Sequence, residues 1–212
     1  MKKKILVACL CVALAVLTIA GTTLAYLTSQ DKVTNTFTVG KVAIKLDEAK
    51  ANTDGTLVEG AARVKANSYK LMPGHTYNKD PMVTVLAGSE PSYIKMTVTF
   101  SKANELDAIF APTGANLTSI FNGYDAANWI YKGNTKDATA GTRTYEFWYK
   151  ETVGAPTADV ALDALFDSIT VPADITSEQL ATIAGMTITV NAYAIQADGF
   201  TTAAAAWAEV GK

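Results

Sequence analysis

Residues 93–100 constrain this chain more than any other stretch. Ile94, Met96, Val98 and Phe100 share one parity, and Lys95, Thr97 and Thr99 share the other. Strict alternation describes a strand with one buried and one wet face, so the chain must build a sheet that needs covering on one side only. Similar short runs recur. Val33, Asn35, Phe37 and Val39 share a parity; after Gly40-Lys41 it shifts to Val42, Ile44 and Leu46. A parity change at glycine reads as a bulge or bend in a long strand. Further strands are expected at 61–71, at Met82–Leu86, at Asn128–Lys132, at Thr142–Lys150 and at Met186–Gln196, with turns at Asp54-Gly55 and Pro73-Gly74.

Helical spacing is sparse. Asn104–Phe110 and the Ala-rich Thr202–Val210 read as short helices. Residues 161, 162, 165, 166 and 169 are apolar, which predicts a helix over Asp159–Ile169. Ser177, followed by Glu178-Gln179-Leu180 and closed by Gly185, predicts another with a polar cap and a glycine stop. The expected fold class is mainly β: an antiparallel β-sandwich with short inserted helices.

The first 25 residues carry a different message. Lys2, Lys3 and Lys4 precede an apolar run of 16 residues, Ile5–Ala20, broken only by Thr18; Gly21-Thr22-Thr23-Leu24-Ala25 follows. This is the order of a cleavable signal peptide, with Thr23 and Ala25 at the −3 and −1 places of a cut before Tyr26. The run is short for a span, which needs about 20 residues; the alternative is a permanent anchor, so membrane contact is expected only through an uncleaved signal. The expected organisation is a signal peptide at 1–25 and one β-sandwich domain at 26–212, with 101–185 as a variable insertion carrying helices.

Composition narrows the function classes. Beyond Ala25 there are 15 basic and 20 acidic residues, a formal charge of −5, which disfavours nucleic acid and anionic lipid as partners. Cys9 and Cys11 are the only cysteines and both sit in the leader, so the exported part has no disulfide and no thiolate metal site. His75 is the only histidine, and neither a G-x-S-x-G elbow nor a phosphate loop is present. A zinc site would have to combine His75 with carboxylates such as Asp80 or Glu90, a non-standard set. Asn52-Thr53-Asp54-Gly55-Thr56 has the look of a calcium loop, but Arg63 stands where the bidentate glutamate belongs. No cofactor, metal or catalytic residue is expected.

Three patches resemble the TasA/camelysin family of Gram-positive bacteria. The first is Gly21–Thr28 with Asn35-Thr36-Phe37-Thr38-Val39-Gly40 and then Val42, Ile44 and Leu46. The second is Leu71-Met72-Pro73-Gly74-His75, then Lys79 and Ser92-Tyr93-Ile94-Lys95, with His75 where the family usually has an acid. The third is Ile188–Ala194 followed by Gln196-Ala197-Asp198-Gly199-Phe200. The resemblance implies export through a SipW-type signal peptidase and a jelly-roll- or immunoglobulin-like sandwich. It also implies self-association into extracellular biofilm or cell-surface fibres, the leading segment of one subunit adding as a strand to the next. Val33, Phe37, Val39, Val42 and Ile44 are the expected donor residues; the same segment could equally be the first strand of its own domain. Some relatives are assigned metalloprotease activity, which one histidine supports poorly. A secreted binding module is the other alternative: Trp129, Tyr131 and Trp148 could stack on sugar rings, against the blander account in which such aromatics pack the core or cover an edge.

Overall fold

The computed structural model describes residues 40–110 and 117–210, all within one unit, Val39–Lys212. The expected cut at Thr23, Ala25 and Tyr26, and the donor positions Val33, Phe37 and Val39, lie outside the described residues.

The described chain is mainly β, and every strand pairing in it is antiparallel. Strands β1 (Ile44–Asp47), β3 (Met82–Val85) and β7 (Val160–Ala161) form one sheet in the order β1-β3-β7. Strands β5 (Trp129–Asp137), β6 (Thr142–Tyr149), β4 (Ser92–Ser101) and β9 (Ile188–Gln196) form a second, in the order β5-β6-β4-β9. A small ladder joins β2 (Thr76–Asn78) to β8 (Ser168–Thr170). Three helices, α1 (Ala103–Phe110), α2 (Ser177–Thr182) and α3 (Ala203–Glu209), complete it with a 3-10 turn at Leu117–Ser119.

The alternation in β4 does what it predicts. Ile94, Met96, Val98 and Phe100 are all 0% exposed. They share one apolar cluster with Val83 and Val85 of β3, so the two larger sheets contribute to a common core. Phe121 is its aromatic hub. Its ring centroid lies 4.7 Å from Phe166, 5.2 Å from Tyr145, and 5.8 Å from both Phe100 and Phe147, tilted against Phe166 and Phe100 and edge-on to Tyr145 and Phe147, an arrangement aromatic rings prefer.

Several expectations are corrected. Asp159–Ile169 is not a helix. Val160 and Ala161 pair with Val85 and Thr84, the Leu162 N–H donates to Val83 O at 2.8 Å, and the Leu165 N–H donates to Pro81 O at 3.0 Å. Leu162, Leu165, Phe166 and Ile169 are buried as the spacing required, but the backbone finds its partners in β3 and beside it rather than in its own turn. Residues 61–71 are not a strand either. Only Val64 bridges, exchanging two bonds with Glu48; beyond one Lys70 N–H bond to Thr53 O at 2.7 Å, side chains anchor the segment. Arg63 donates to Asp47 and Asp80, Lys65 to Leu46 O, and Asn67 to Glu48 and Ala49 O. Strand β5 runs on through the polar stretch to Asp137, bending at a bulge where Gly133 takes φ +123°. Thr176, not Ser177, caps α2, in a reciprocal box with Gln179. Residues 129–149 are integral to the larger sheet, since β6 is hydrogen-bonded directly to β4.

Asp107 ties α1 to the sheet. Its carboxylate takes two bonds from Arg143, at 2.9 and 2.6 Å, and one from Lys136 at 2.7 Å. Burial raises its pKa, but these cations outweigh that and hold it below the ordinary carboxylate value.

The turn at Asp54-Gly55 forms as expected. Gly55 sits at φ +92°, and a Cβ there would stand 2.5 Å from Thr76 O and 2.7 Å from Tyr77 Cα. Gly55→Ala should therefore cost about 1–3 kcal/mol, read as a lowered urea midpoint at constant slope.

Candidate functional site

The two larger sheets end differently. Strand β9 closes the four-stranded sheet, and among the described residues no strand pairs with its outer side. The phase of its ladder is set by two bonds in register with it: the Ala197 N–H to Pro91 O at 2.6 Å and the Ser101 N–H to Thr187 O at 3.0 Å. Odd-numbered residues of β9 therefore point their backbone groups at β4. Ile188, Val190, Ala192, Ala194 and Gln196 point theirs away. The side chains of Ile188, Val190, Ala192 and Ala194 lie half-buried against the core. This edge thus offers alternating N–H and C=O groups above an incompletely covered apolar row, the two things an added strand needs.

A groove of about 790 Å³ opens where β9 begins. Tyr69, Leu71, Leu180, Met186 and Ile188 line it together with the buried Lys79. Burial, reinforced by the negative charge of Glu48, pushes the Tyr69 phenol well above its ordinary pKa. Its hydroxyl donates to Asn78 O at 2.6 Å.

Strand β1 is terminal in its own sheet and comes within 8 Å of β9. Its outer side is partly occupied, because Lys65 reaches Leu46 O and, just beyond the strand, Glu48 exchanges two backbone bonds with Val64. Asp47 is buried, which raises its pKa, yet the Lys45 and Arg63 charges bring it net below the usual carboxylate value. Ile44, expected as a donor residue, pairs with Val85 of the same chain and packs on the core. Val42 is half-buried just before β1, and the neighbouring Ala43 N–H donates to Ser89 Oγ at 3.1 Å. The Leu86 N–H also donates to Ala43 O at 2.9 Å, so in the single chain residues 42–44 run beside 85–89.

The three aromatics separate. Trp129 is 1% exposed and donates its indole N–H to Asp163 O at 3.1 Å. Tyr131 packs 5.6 Å from the Phe147 ring. Both lie on the side of β5 that faces the core, Trp129 buried and Tyr131 half-buried. Trp148 lies on the opposite side, in a cross-strand row Ile130–Trp148–Lys95–Tyr193. The Lys132 ammonium stands 4.4 Å from the centre of its ring, and its indole N–H donates to Glu146 at 2.7 Å. Lys95 is itself bracketed by the rings of Trp207, at 4.6 Å, and Tyr193, at 5.4 Å. Sequence reasoning missed this row; the signal was the parity of Ile130 and Trp148, opposite to that of the core aromatics.

His75 sits in the Pro73-Gly74 turn, its N–H bonded to Met72 O at 3.3 Å. Asp80 commits one oxygen to Arg63 and the other to the Ala49 N–H. Among the described residues no three His, Cys, Asp or Glu side chains gather as a metal site. No helix among them is long and apolar enough to cross a membrane. No family model, no curated protein and no solved structure matches this chain.

Proposed function

We propose that this protein is an exported, non-enzymatic structural subunit of the cell surface or biofilm matrix, of the TasA/camelysin type. In this reading its sheets form a jelly-roll- or immunoglobulin-like sandwich, a SipW-type peptidase frees its leading segment, and subunits join when that segment adds to β9 of the next. The observation that carries the proposal is the β9 edge: nine residues long, unpaired among the described residues, and backed by the half-buried row Ile188, Val190, Ala192 and Ala194. Native proteins usually blunt such an edge with charge, proline or a bulge. Strand β9 has none of these, and its register with β4 is unbroken. The alternation of Val33, Phe37 and Val39 gives the donor a matching period, and a chain whose cysteines are confined to the leader has no disulfide to link subunits. Trp129 is buried and Tyr131 half-buried against the core, so of the three aromatics Trp148 is the one left for a sugar-binding module.

Deleting residues 26–39 while keeping the leader should give an exported, folded protein that sediments as a monomer. Wild-type protein at the same concentration should form fibres visible by electron microscopy. Fibres of normal length from the truncated protein would exclude donation by this segment.

A further inference from the structure

Beside the groove lies a cluster that strand exchange does not use. Glu48, just after β1, is 5% exposed; Lys79, just after β2, is 8% exposed. The Lys79 ammonium donates to Glu48 Oε2 at 2.5 Å. The other oxygen of the same carboxylate, Oε1, accepts from Asn67 Nδ2 at 3.0 Å. One carboxyl group therefore holds an amine on one oxygen and a primary amide on the other. The amide is polarised as well. Asn67 Oδ1 accepts the Ala51 N–H at 2.9 Å, and Nδ2 also donates to Ala49 O at 2.8 Å.

We propose that Lys79 and Asn67 become joined by an intramolecular isopeptide bond, with Glu48 as the proton carrier. Proton transfer along the Lys79–Glu48 contact leaves a neutral amine beside a carboxylic acid, which relieves the cost of two buried charges. The Nζ lone pair then attacks Asn67 Cγ. Negative charge develops on Oδ1, where the Ala51 N–H already points, the role of an oxyanion donor. The Cγ–Nδ2 bond breaks with its electron pair going to nitrogen; Glu48 returns the proton it took, and the second proton that Nζ sheds after its attack passes through the same carboxylate to the leaving nitrogen. The products are a secondary amide linking Nζ to Cγ and one ammonium ion, with Glu48 ionised as at the start. Nothing is oxidised or reduced, and no co-reactant is needed.

Placement favours the step. Glu48 is fixed by two backbone bonds to Val64, at 2.9 and 2.8 Å, and Lys79 by its N–H bond to Asp167 O at 2.9 Å. Holding nucleophile and electrophile on one carboxyl group supplies the effective concentration that an amine–amide exchange lacks in water. Asn67 and Lys79 both line the open groove, which gives ammonia a way out. The bond would close residues 67–79 into a covalent loop across the Pro73-Gly74 turn, in a chain with no cysteine beyond Cys11.

Mass spectrometry decides it. Exported wild-type protein, its N-terminus fixed by sequencing, should be lighter than its encoded mass by one ammonia. A tryptic digest should give a branched peptide joining Asn67 to Lys79, with cleavage after Lys79 lost. Glu48→Gln and Lys79→Met should each restore the encoded mass. Free Lys79 and intact Asn67 peptides from folded wild-type protein would overturn the proposal, and so would an ammonia loss that persists in Lys79→Met. The wild-type measurement does not depend on any variant folding.

Discussion

Ala192→Pro should stop fibre growth and leave the subunit folded, while Tyr193→Pro, one residue on, should unfold or strongly destabilise it. The difference follows from the phase of the β4–β9 ladder. Tyr193 faces Lys95 and spends its N–H on β4; Ala192 lies opposite Met96 in the non-bonded register and aims its N–H away from the sheet. Proline at 192 therefore deletes no existing bond, and edge strands accept proline where the N–H faces outward. It also holds Asn191 in the extended conformation that residue already has. An arriving strand, however, meets a pyrrolidine ring in place of a donor halfway along the edge. Proline at 193 leaves the buried-side carbonyl of Lys95 without its partner, at a cost of about 1–3 kcal/mol before any backbone distortion. Sedimentation and electron microscopy read the first effect, and thermal melting reads the second. Wild-type fibre yield from folded Ala192→Pro would place the acceptor somewhere other than β9.

How much of this was legible in the sequence depends on where each segment finds its partners. β4 was legible because one face is buried throughout and the other is wet, so side-chain period and backbone state agree. α3 was legible because Thr202 caps a run of alanines that has little else to do. Residues 159–169 misled because Leu162, Leu165 and Phe166 are buried at helical spacing, while the bonds that decide their backbone go to Pro81 and Val83, some eighty positions earlier. Residues 61–71 misled for the opposite reason: apart from the Val64–Glu48 bridge and one Lys70–Thr53 bond, side chains rather than a backbone ladder make their long-range contacts. At the candidate site, the donor's alternation is local and readable. That β9 would be an edge is not, because an alternating strand looks the same at the rim of a sheet as inside it until its neighbours are known. Glu48, Asn67 and Lys79 share no spacing rule, and only the approach of three separate segments brings them together.

The second large effect is expected at Phe121. This residue lies in the stretch expected as a variable insertion, and its ring is 0% exposed and touches four other buried rings. Phe100 is on β4, Tyr145 and Phe147 are on β6, and Phe166 lies between β7 and β8. Truncation removes contacts on all of these sides at once, and β-sheet backbones held by their ladders collapse poorly into the space. Phe121→Ala should cost about 3–5 kcal/mol, seen as a fall in urea midpoint with little change in slope. Against a typical domain stability of about 5–15 kcal/mol, that leaves little margin. Trp148→Ala, on the outer face of the same sheet, should cost far less, because its ring packs on Lys132 at a half-exposed surface and not inside the cluster. The pair separates two views of residues 117–166. If they are part of the core, the loss at Phe121 will far exceed the loss at Trp148. If they are an appendage that folds on its own, Phe121→Ala will produce a separate early transition and leave the main one in place.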